Sequence, residues 1–201
     1  SIQRYHESYT ICIIFCVYCG VSLLQIAPMV DWTHSPFRLM MRLLLPKAKL
    51  FTEMLVPQAI IRHPKRYLEY YPIENPLVLQ LGGSHAPDLL KAALIAQDMG
   101  YQEINLNLGC PSERVQSGQF GACLMTQKTL VMTCLKHLKS HLDIPVTAKT
   151  RIGVDEHDSY EFFSDFVDGL VECGIDELVV HARKAWLKGL NPKQNRTIPP
   201  I

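Results

Sequence analysis

Residues 104–124 read INLNLGCPSERVQSGQFGACL, and this stretch decides the fold class of the chain. It begins with the alternating pattern of a β-strand and breaks at Gly109 into a loop that carries Cys110 and Pro111. Enzymes of the β/α type display reactive groups in loops that follow strands. A cysteine that serves only packing is more often found inside an apolar run. Cys110 is therefore a candidate functional thiol, and an inert structural cysteine is the alternative.

Three further segments repeat this arrangement of an apolar run with polar residues near its carboxyl end. They are residues 77–83 (LVLQLGG) with Gln80, residues 145–153 (PVTAKTRIG) with Lys149 and Arg151, and residues 177–183 (ELVVHAR) with His181. Segments with helical spacing of apolar residues lie between or beside them, at residues 86–99, 126–142 and 159–173. Strands that alternate with helices and have polar carboxyl ends predict a parallel barrel with its site on that face.

The polar residues at these strand ends are expected to converge in space. Lys149 lies in an apolar strand, and a buried ammonium needs an anionic or strongly polar partner. Taken singly, Gln80 or Asn107 could cap a helix or bind a loop carbonyl, and His181 could be a satisfied core imidazole. Convergence of all four strand ends favours a functional site.

The length of the chain predicts an incomplete barrel. The chain has 201 residues, whereas an eight-stranded β/α barrel takes roughly 250. The predicted strands lie at residues 24–29, 50–54, 77–81, 103–107, 146–150 and 177–181. We therefore expect an α/β fold, a partial (β/α)8 TIM barrel with about six of its eight strands. The chain is interpreted as a fragment of a longer protein.

The amino-acid composition excludes few classes of protein. A net charge of +1 gives no indication of an acidic partner. The seven cysteines form no disulfide framework, which favours a reduced, cytosolic setting. The apolar run at residues 11–24 is shorter than the roughly 18 residues of a membrane span and lacks a clear signal-cleavage site.

Two other features have an ordinary and a functional interpretation. Cys12, Cys16 and Cys19 have a spacing that can hold an iron–sulfur cluster, but their run is too apolar and β-branched for a cluster loop, so no metal is expected. Residues 182–201 contain five basic residues and no acidic one. That loop could bind phosphates beside an active face, or it could simply be solvated.

The motifs, taken in order, resemble those of the flavin-dependent tRNA-dihydrouridine synthases, and within them the A-type branch. The resemblance runs from Ile26 to Pro200. Its motifs are IAPMVDWT (26–33), TEM (52–54), LQLGG (79–83), EINLNLGCPS (103–112), FGACLM (120–125), KTRIG (149–153), DSYEF (158–162) and HARKAWLKGLNPKQNR (181–196). A series of motifs at matched spacing is far more specific than any one of them.

The resemblance implies an FMN-dependent oxidoreductase that NADPH reduces and that converts uridine in the D-loop of tRNA to 5,6-dihydrouridine, at positions 20 and 20a. It implies hydride transfer from the flavin to C6 and proton delivery from Cys110 to C5. A thiol suits this role because its reference pKa, about 8.5, keeps it mostly protonated at neutral pH. The target base is expected to be flipped out of the folded RNA.

The resemblance also implies particular contacts. The implied FMN contacts are Pro28, Met29, Gln80, Lys149 and His181. Among these, Lys149 is implied near N1 and O2, where reduced flavin carries its negative charge. The implied tRNA contacts are Asn107, near the flipped base, with Lys193 and Arg196.

Parts of the family pattern are missing from the sequence, namely two further strands with glycine-rich phosphate loops and a helical tRNA-binding domain. We expect an apolar extension of uncertain status at residues 1–21 and an incomplete FMN-binding barrel at residues 22–201. Alone, the chain is expected to expose sheet edges, to bind FMN weakly and to show little or no activity. The complete protein is expected to be a cytoplasmic monomer without a membrane span. The alternatives are an FMN barrel that reduces a free pyrimidine, similar to dihydroorotate dehydrogenase, and a non-catalytic truncated product.

Overall fold

A sheet of seven strands, in the order β1-β2-β3-β4-β5-β6-β7, forms the centre of the protein. The structure is a computed structural model, and it describes residues 13–18 and 21–200. The strands are β1 (Ile13–Tyr18), β2 (Val21–Ile26), β3 (Lys49–Leu55), β4 (Leu77–Leu81), β5 (Glu103–Leu108), β6 (Val146–Arg151) and β7 (Glu177–His181). Strands β2 to β7 pair in parallel, each with the next along the chain. This confirms the predicted partial (β/α) barrel.

Helices alternate with the strands and cover the outer face of the sheet. They are α1 (Ser35–Leu44), α2 (Pro57–Arg62), α3 (Pro64–Leu68), α4 (Ala86–Asp98), α5 (Glu113–Ser117), α6 (Lys128–Lys139), α7 (Tyr160–Glu172) and α8 (Pro192–Asn195), with 3₁₀ turns at Pro72–Glu74 and Gly121–Thr126. The three predicted helices are confirmed as α4, α6 and α7, with ends that differ by up to three residues. Helix α7 begins where the Ser159 side chain accepts the Phe162 N–H, as an N-cap serine does.

The core lies between the sheet and the helices because alternate strand residues are apolar. Leu77, Leu79 and Leu81 of β4 are fully buried, and they share one cluster with the apolar face of α4, including Leu89 and Ala93. The residues between them on the strands point to the interior of the barrel. On β5 these interior residues, Glu103, Asn105 and Asn107, are all polar, so hydrogen bonds dominate this part of the interior.

The sheet curls enough for the first and last parallel strands to meet across the interior. Gln25 Nε2 on β2 donates to Glu177 Oε1 on β7 over 2.5 Å. Lys49 Nζ lies 2.8 Å from Glu103 Oε2 and 2.7 Å from Glu177 Oε2. Burial alone lowers the pKa of Lys49, but its hydrogen bonds to the two carboxylates outweigh burial and raise that pKa overall. A charged cluster therefore closes the amino-terminal end of the interior.

The outer edge of β2 is covered by β1, which pairs with it antiparallel from Ile13↔Ile26 to Tyr18↔Val21. In a closed eight-stranded barrel that edge pairs with the last strand. The edge of β2 is therefore paired, and the edge strands of the sheet are β1 and β7. Strand β2 also begins and ends three residues earlier than the predicted strand at 24–29, because the hairpin draws Val21 into the ladder.

The apolar run at residues 11–24 is thus partly strand. Cys12 and Cys19 of the cysteine spacing lie outside the described residues. Within residues 13–18 and 21–200, no helix has the length and apolar character needed to cross a membrane.

Candidate active site at the carboxyl ends of the strands

A row of hydrogen-bonded amides crosses the interior face of three neighbouring strands. Gln80 Nε2 on β4 donates to Asn105 Oδ1 on β5 over 2.8 Å, and Asn105 Nδ2 donates to Thr147 Oγ1 on β6 over 2.9 Å. Nearer the carboxyl ends, Asn107 Nδ2 donates to Gln80 Oε1 over 2.9 Å. All these side chains are buried. Because each amide holds the next, the row forms a fixed platform under the strand ends.

Asn107 also sets the start of the cysteine loop, residues 109–112. Its Oδ1 accepts the backbone N–H of Gly109 over 3.2 Å and that of Cys110 over 3.0 Å. On the other side, the Cys110 carbonyl accepts the Ala122 N–H over 2.9 Å. The Cys110 thiol is half-buried, 3.6 Å from Ser112 Oγ. A fixed backbone therefore presents a partly accessible thiol at the carboxyl end of β5.

Gly121 allows the close approach that holds this loop. Its φ is +74°, in the left-handed region that favours glycine. A Cβ at this position would lie 2.5 Å from the Cys110 carbonyl oxygen and would also meet Val115. The glycine in the GACL part of residues 104–124 is thus required by the cysteine loop itself.

Lys149 and His181 continue the line of strand ends. Lys149 lies two residues after Thr147 on β6, so both are on the interior face of the strand. Lys149 is in register with Asn107 on β5. His181 is the last residue of β7 and is in register with Arg151. The four predicted strand-end residues thus lie on successive strands, β4 to β7, as the sequence predicted.

His181 is held in its neutral form. Burial, and then the charges of Lys149, Arg151 and Arg183, lower the pKa of His181 to about 3. Arg183 Nη1 lies 3.0 Å from His181 Nε2. A guanidinium can only donate, so Nε2 accepts and the ring proton is assigned to Nδ1. The imidazole therefore offers an N–H donor at neutral pH and no positive charge.

Pro28 and Met29 lie in the loop after β2, rather than at the end of a strand as predicted. The Met29 N–H donates to Thr33 Oγ1 over 3.0 Å, and the Met29 carbonyl accepts the Thr33 N–H over 2.9 Å. Thr33 is buried, so this tight turn is anchored in the protein. The turn presents the half-exposed Pro28 and Met29 at the same rim as the cysteine loop.

The basic loop, residues 182–197, is ordered by Asn195. The Asn195 side chain is buried, accepts the Trp186 N–H over 2.8 Å and donates to the Trp186 carbonyl over 2.9 Å. Two of the basic side chains have internal partners, since Arg183 Nε donates to the Ile198 carbonyl and Lys184 Nζ pairs with Asp158. The exposed ones are Lys188, Lys193 and Arg196.

Arg151, which the sequence places near the carboxyl end of its strand beside Lys149, is a site residue to which the sequence assigned no role. It is buried, and its Nε donates to the Gly109 carbonyl over 3.0 Å. Its Nη1 donates to the carbonyls of Lys184 and Asn195 over 3.1 and 3.3 Å. The argument applied to Lys149, that a charge in an apolar strand needs partners, was the signal for it.

A curled parallel sheet with a thiol loop, a lysine and a neutral histidine at the carboxyl ends of neighbouring strands defines a partial β/α barrel with a strand-end site. The family described as "Dihydrouridine synthase (Dus)" matches residues 25–201. The chain belongs to the dihydrouridine synthase family.

Curated relatives agree with this assignment. The chain is 53% identical over 177 residues to a tRNA-dihydrouridine(20/20a) synthase of Shewanella oneidensis, covering 88% of this chain and 53% of the relative. It is 53% identical over 179 residues to the protein of the same name from Vibrio parahaemolyticus, covering 89% and 55%. With that of Xanthomonas axonopodis pv. citri it shares 50% over 185 residues, covering 92% and 55%. The chain thus spans about half the length of the curated relatives it matches.

Proposed function

We propose that the protein containing this chain reduces uridine in tRNA to 5,6-dihydrouridine, with FMN as cofactor and NADPH as reductant. The observation that carries the proposal is the cysteine loop, fixed by Asn107 at the strand ends beside Lys149. Relatives at 50–53% identity bear the name tRNA-dihydrouridine(20/20a) synthase, which supports uridines 20 and 20a as the targets. Because the chain spans about half of their length, the activity is proposed for a protein of that full length.

The donors at the strand ends fit a flavin. FMN, when bound, would supply the hydride for C6 of the base. Lys149 would place a positive charge near N1 and O2, and the Nδ1–H of neutral His181 would donate to the ring or phosphate. Gln80, with Pro28 and Met29 at the rim, would complete the contacts. The low pKa of His181 supports this assignment, because a neutral histidine beside Lys149, Arg151 and Arg183 avoids a fourth positive charge.

Cys110 would deliver the proton to C5. Hydride addition at C6 leaves negative charge on C5 and O4, so an acid must deliver a proton to C5. The hydrogen bond that the Cys110 N–H donates to Asn107 and the one that its carbonyl accepts from Ala122 fix the backbone of Cys110 on both sides before any substrate binds. A preset acid of this kind lowers the reorganisation that the proton transfer requires.

Asn107, Lys193 and Arg196 would contact the tRNA. Lys193 and Arg196 are exposed on the basic loop, where they are accessible to phosphates. Asn107 is 9% exposed and already binds the cysteine loop and Gln80, so any contact with the base would be made from an oriented amide. We further propose a monomeric, cytoplasmic protein; the cysteines whose side chains the structure describes, Cys110, Cys123, Cys134 and Cys173, are free, in keeping with a reducing compartment.

A chimera tests the proposal. Residues 25–201 replace the segment that they match in the Shewanella oneidensis relative, and the purified protein is incubated with FMN, NADPH and an unmodified tRNA transcript. Nucleoside mass spectrometry should find dihydrouridine at positions 20 and 20a, and free orotate should be left unchanged. Consumption of orotate without reduction of the tRNA would replace the proposal with the free-pyrimidine alternative. A chimera that binds FMN yet reduces neither substrate, while the relative itself is active, would contradict it.

A further inference from the structure

The side chain of Gln116 bridges two loops that are far apart in sequence. Gln116 lies on α5, directly after the cysteine loop. Its Nε2 donates to the Pro111 carbonyl and to the Leu187 carbonyl, each over 2.9 Å. Pro111 follows Cys110, and Leu187 lies in the basic loop that carries Lys193 and Arg196. One amide group therefore joins the proposed acid to the proposed RNA-binding loop.

The bridge has rigid supports on its basic-loop side. The Leu187 N–H donates to Asp155 Oδ1 over 2.8 Å, so Leu187 is held at both its N–H and its carbonyl. Arg151 connects the same two loops on the other side of Cys110, from the Gly109 carbonyl to the carbonyls of Lys184 and Asn195. The cysteine loop and the basic loop are thus joined on both sides of the thiol.

The chemistry of the bridge requires a donor. The carbonyls of Pro111 and Leu187 are both acceptors, and they cannot hydrogen-bond to each other. Without an N–H between them, both would need water or would move apart. A side chain of the same size that lacks donors would therefore separate the two loops without emptying the space between them.

We propose that Gln116 is a positioning residue. When RNA binds to the basic loop, Gln116 couples this binding to the position of Cys110. The inference rests on the proposed function. RNA phosphates on Lys193 and Arg196 restrict the basic loop, and Gln116 passes this restriction to Pro111, the residue next to the thiol. Gln116 itself touches neither the base nor the cofactor in this role.

The first test uses the chain as it is and needs no RNA. Gln116→Met removes the donors and keeps the volume, while Gln116→Lys restores an N–H donor. Gln102→Met is the matched control, because Gln102 is exposed at the opposite, amino-terminal end of β5. Hydrogen exchange of peptides spanning 106–112 and 184–190 should become at least about fivefold faster in Gln116→Met, at both loops, and should return towards wild type in Gln116→Lys. Faster exchange confined to α5, or no change, would overturn the proposal.

The second test measures the reaction in the chimera. Gln116→Met should lower kcat for uridine reduction by about tenfold through misplacement of the acid, with the KM for tRNA, and the rate of NADPH oxidation by dioxygen without tRNA, within about twofold of wild type. Gln116→Lys should recover most of kcat, and Gln102→Met should match wild type. An increase in KM alone, or an unchanged kcat, would contradict the transmission role.

The two hypotheses fail in different ways. If the unsubstituted chimera forms no dihydrouridine, the proposed function fails, and hydrogen exchange still decides whether Gln116 couples the loops. If Gln116→Met unfolds in a thermal melt, the shorter Gln116→Asn, which keeps the amide but not its reach, replaces it in both tests. Wild-type exchange and wild-type kcat in Gln116→Asn would then overturn the coupling.

Discussion

Asn107 Oδ1 accepts the backbone N–H of Cys110 over 3.0 Å, so the end of β5 determines where the thiol lies. The same side chain donates to Gln80 on the neighbouring strand, which fixes its own orientation. Strand geometry is thereby passed to the loop through a single amide. The position of the thiol therefore depends on the sheet through Asn107.

Asn107→Leu should loosen the cysteine loop. The substitution leaves the N–H groups of Gly109 and Cys110 and the side-chain oxygen of Gln80, Oε1, without their partner. The loss should cost about 2–3 kcal/mol in the free energy of unfolding. Alkylation of Cys110 by iodoacetamide, followed by peptide mass spectrometry, should be at least about threefold faster than in wild type. Asn105→Leu is the matched control: it breaks the same amide row without touching the loop, so it should destabilise the protein and leave the alkylation rate unchanged. Equal alkylation rates in the two variants would refute the role given to Asn107.

Much of the architecture could be predicted because the local pattern and the tertiary structure agree. β4 and β5 have apolar residues at every second position, and those residues pack against helices whose apolar spacing is equally regular. The position of β2 differed because its register depends on β1, a partner strand whose pairing no local pattern in residues 11–24 indicates. The residues at which a strand begins and ends are determined by such pairings more than by β-propensity.

The site was predicted less completely, for a physical reason. Residues at strand ends could be found because the barrel brings strand ends together, which is why Gln80, Asn107, Lys149 and His181 lie on neighbouring strands. Gln116 has its partner 71 residues away in a loop, so nothing near it in sequence indicates the contact. Arg183 and Lys184 of the basic loop likewise have partners in the fold that the sequence around them does not indicate.

The charged cluster at the amino-terminal end of the interior should contribute strongly to stability. Lys49→Met leaves two largely buried carboxylates, Glu103 and Glu177, without their cation, and should cost about 3 kcal/mol in the free energy of unfolding by urea. Lys128→Met removes an ion pair with Asp165 that is much more exposed and should cost less than about 1 kcal/mol. Equal losses in the two variants would show that the cluster does not hold the curled sheet together.

Gly121→Ala should disturb the cysteine loop far more than a comparable change elsewhere. Both Gly121 and Gly189 have positive φ, but a Cβ at Gly121 meets the Cys110 carbonyl, whereas a Cβ at Gly189 has nothing within 4 Å. Backbone strain should cost about 1 kcal/mol in Gly189→Ala, and strain plus overpacking about 2–4 kcal/mol in Gly121→Ala. Gly121→Ala should therefore unfold at a lower temperature than Gly189→Ala, and its Cys110 should be alkylated faster. A wild-type alkylation rate in Gly121→Ala would show that the loop does not need this close approach.

The low pKa of His181 predicts a specific loss of stability in mild acid. The unfolded histidine takes up a proton near pH 6.5, while the folded one does so only near pH 3, so stability is complete above pH 6.5 and falls between these values. His181→Gln keeps an acceptor for Arg183 and cannot titrate. Between about pH 7 and pH 4.5, wild type should lose about 1–2 kcal/mol more than this variant, an amount reduced by solvent screening at a half-buried site. Parallel pH profiles from urea unfolding would argue against a neutral, buried imidazole.

The most direct test of the account is the effect of Cys110→Ala on product formation in the chimera with the Shewanella oneidensis relative. NADPH oxidation in air without tRNA, with dioxygen as the electron acceptor, should stay within about twofold of wild type, and formation of dihydrouridine in the tRNA should fall by about 100-fold or more, because only proton delivery to C5 is lost. Cys123→Ala, which removes another half-buried thiol close in sequence, should leave both rates unchanged. Dihydrouridine formation by Cys110→Ala at the wild-type rate would contradict the central claim that this thiol is the acid.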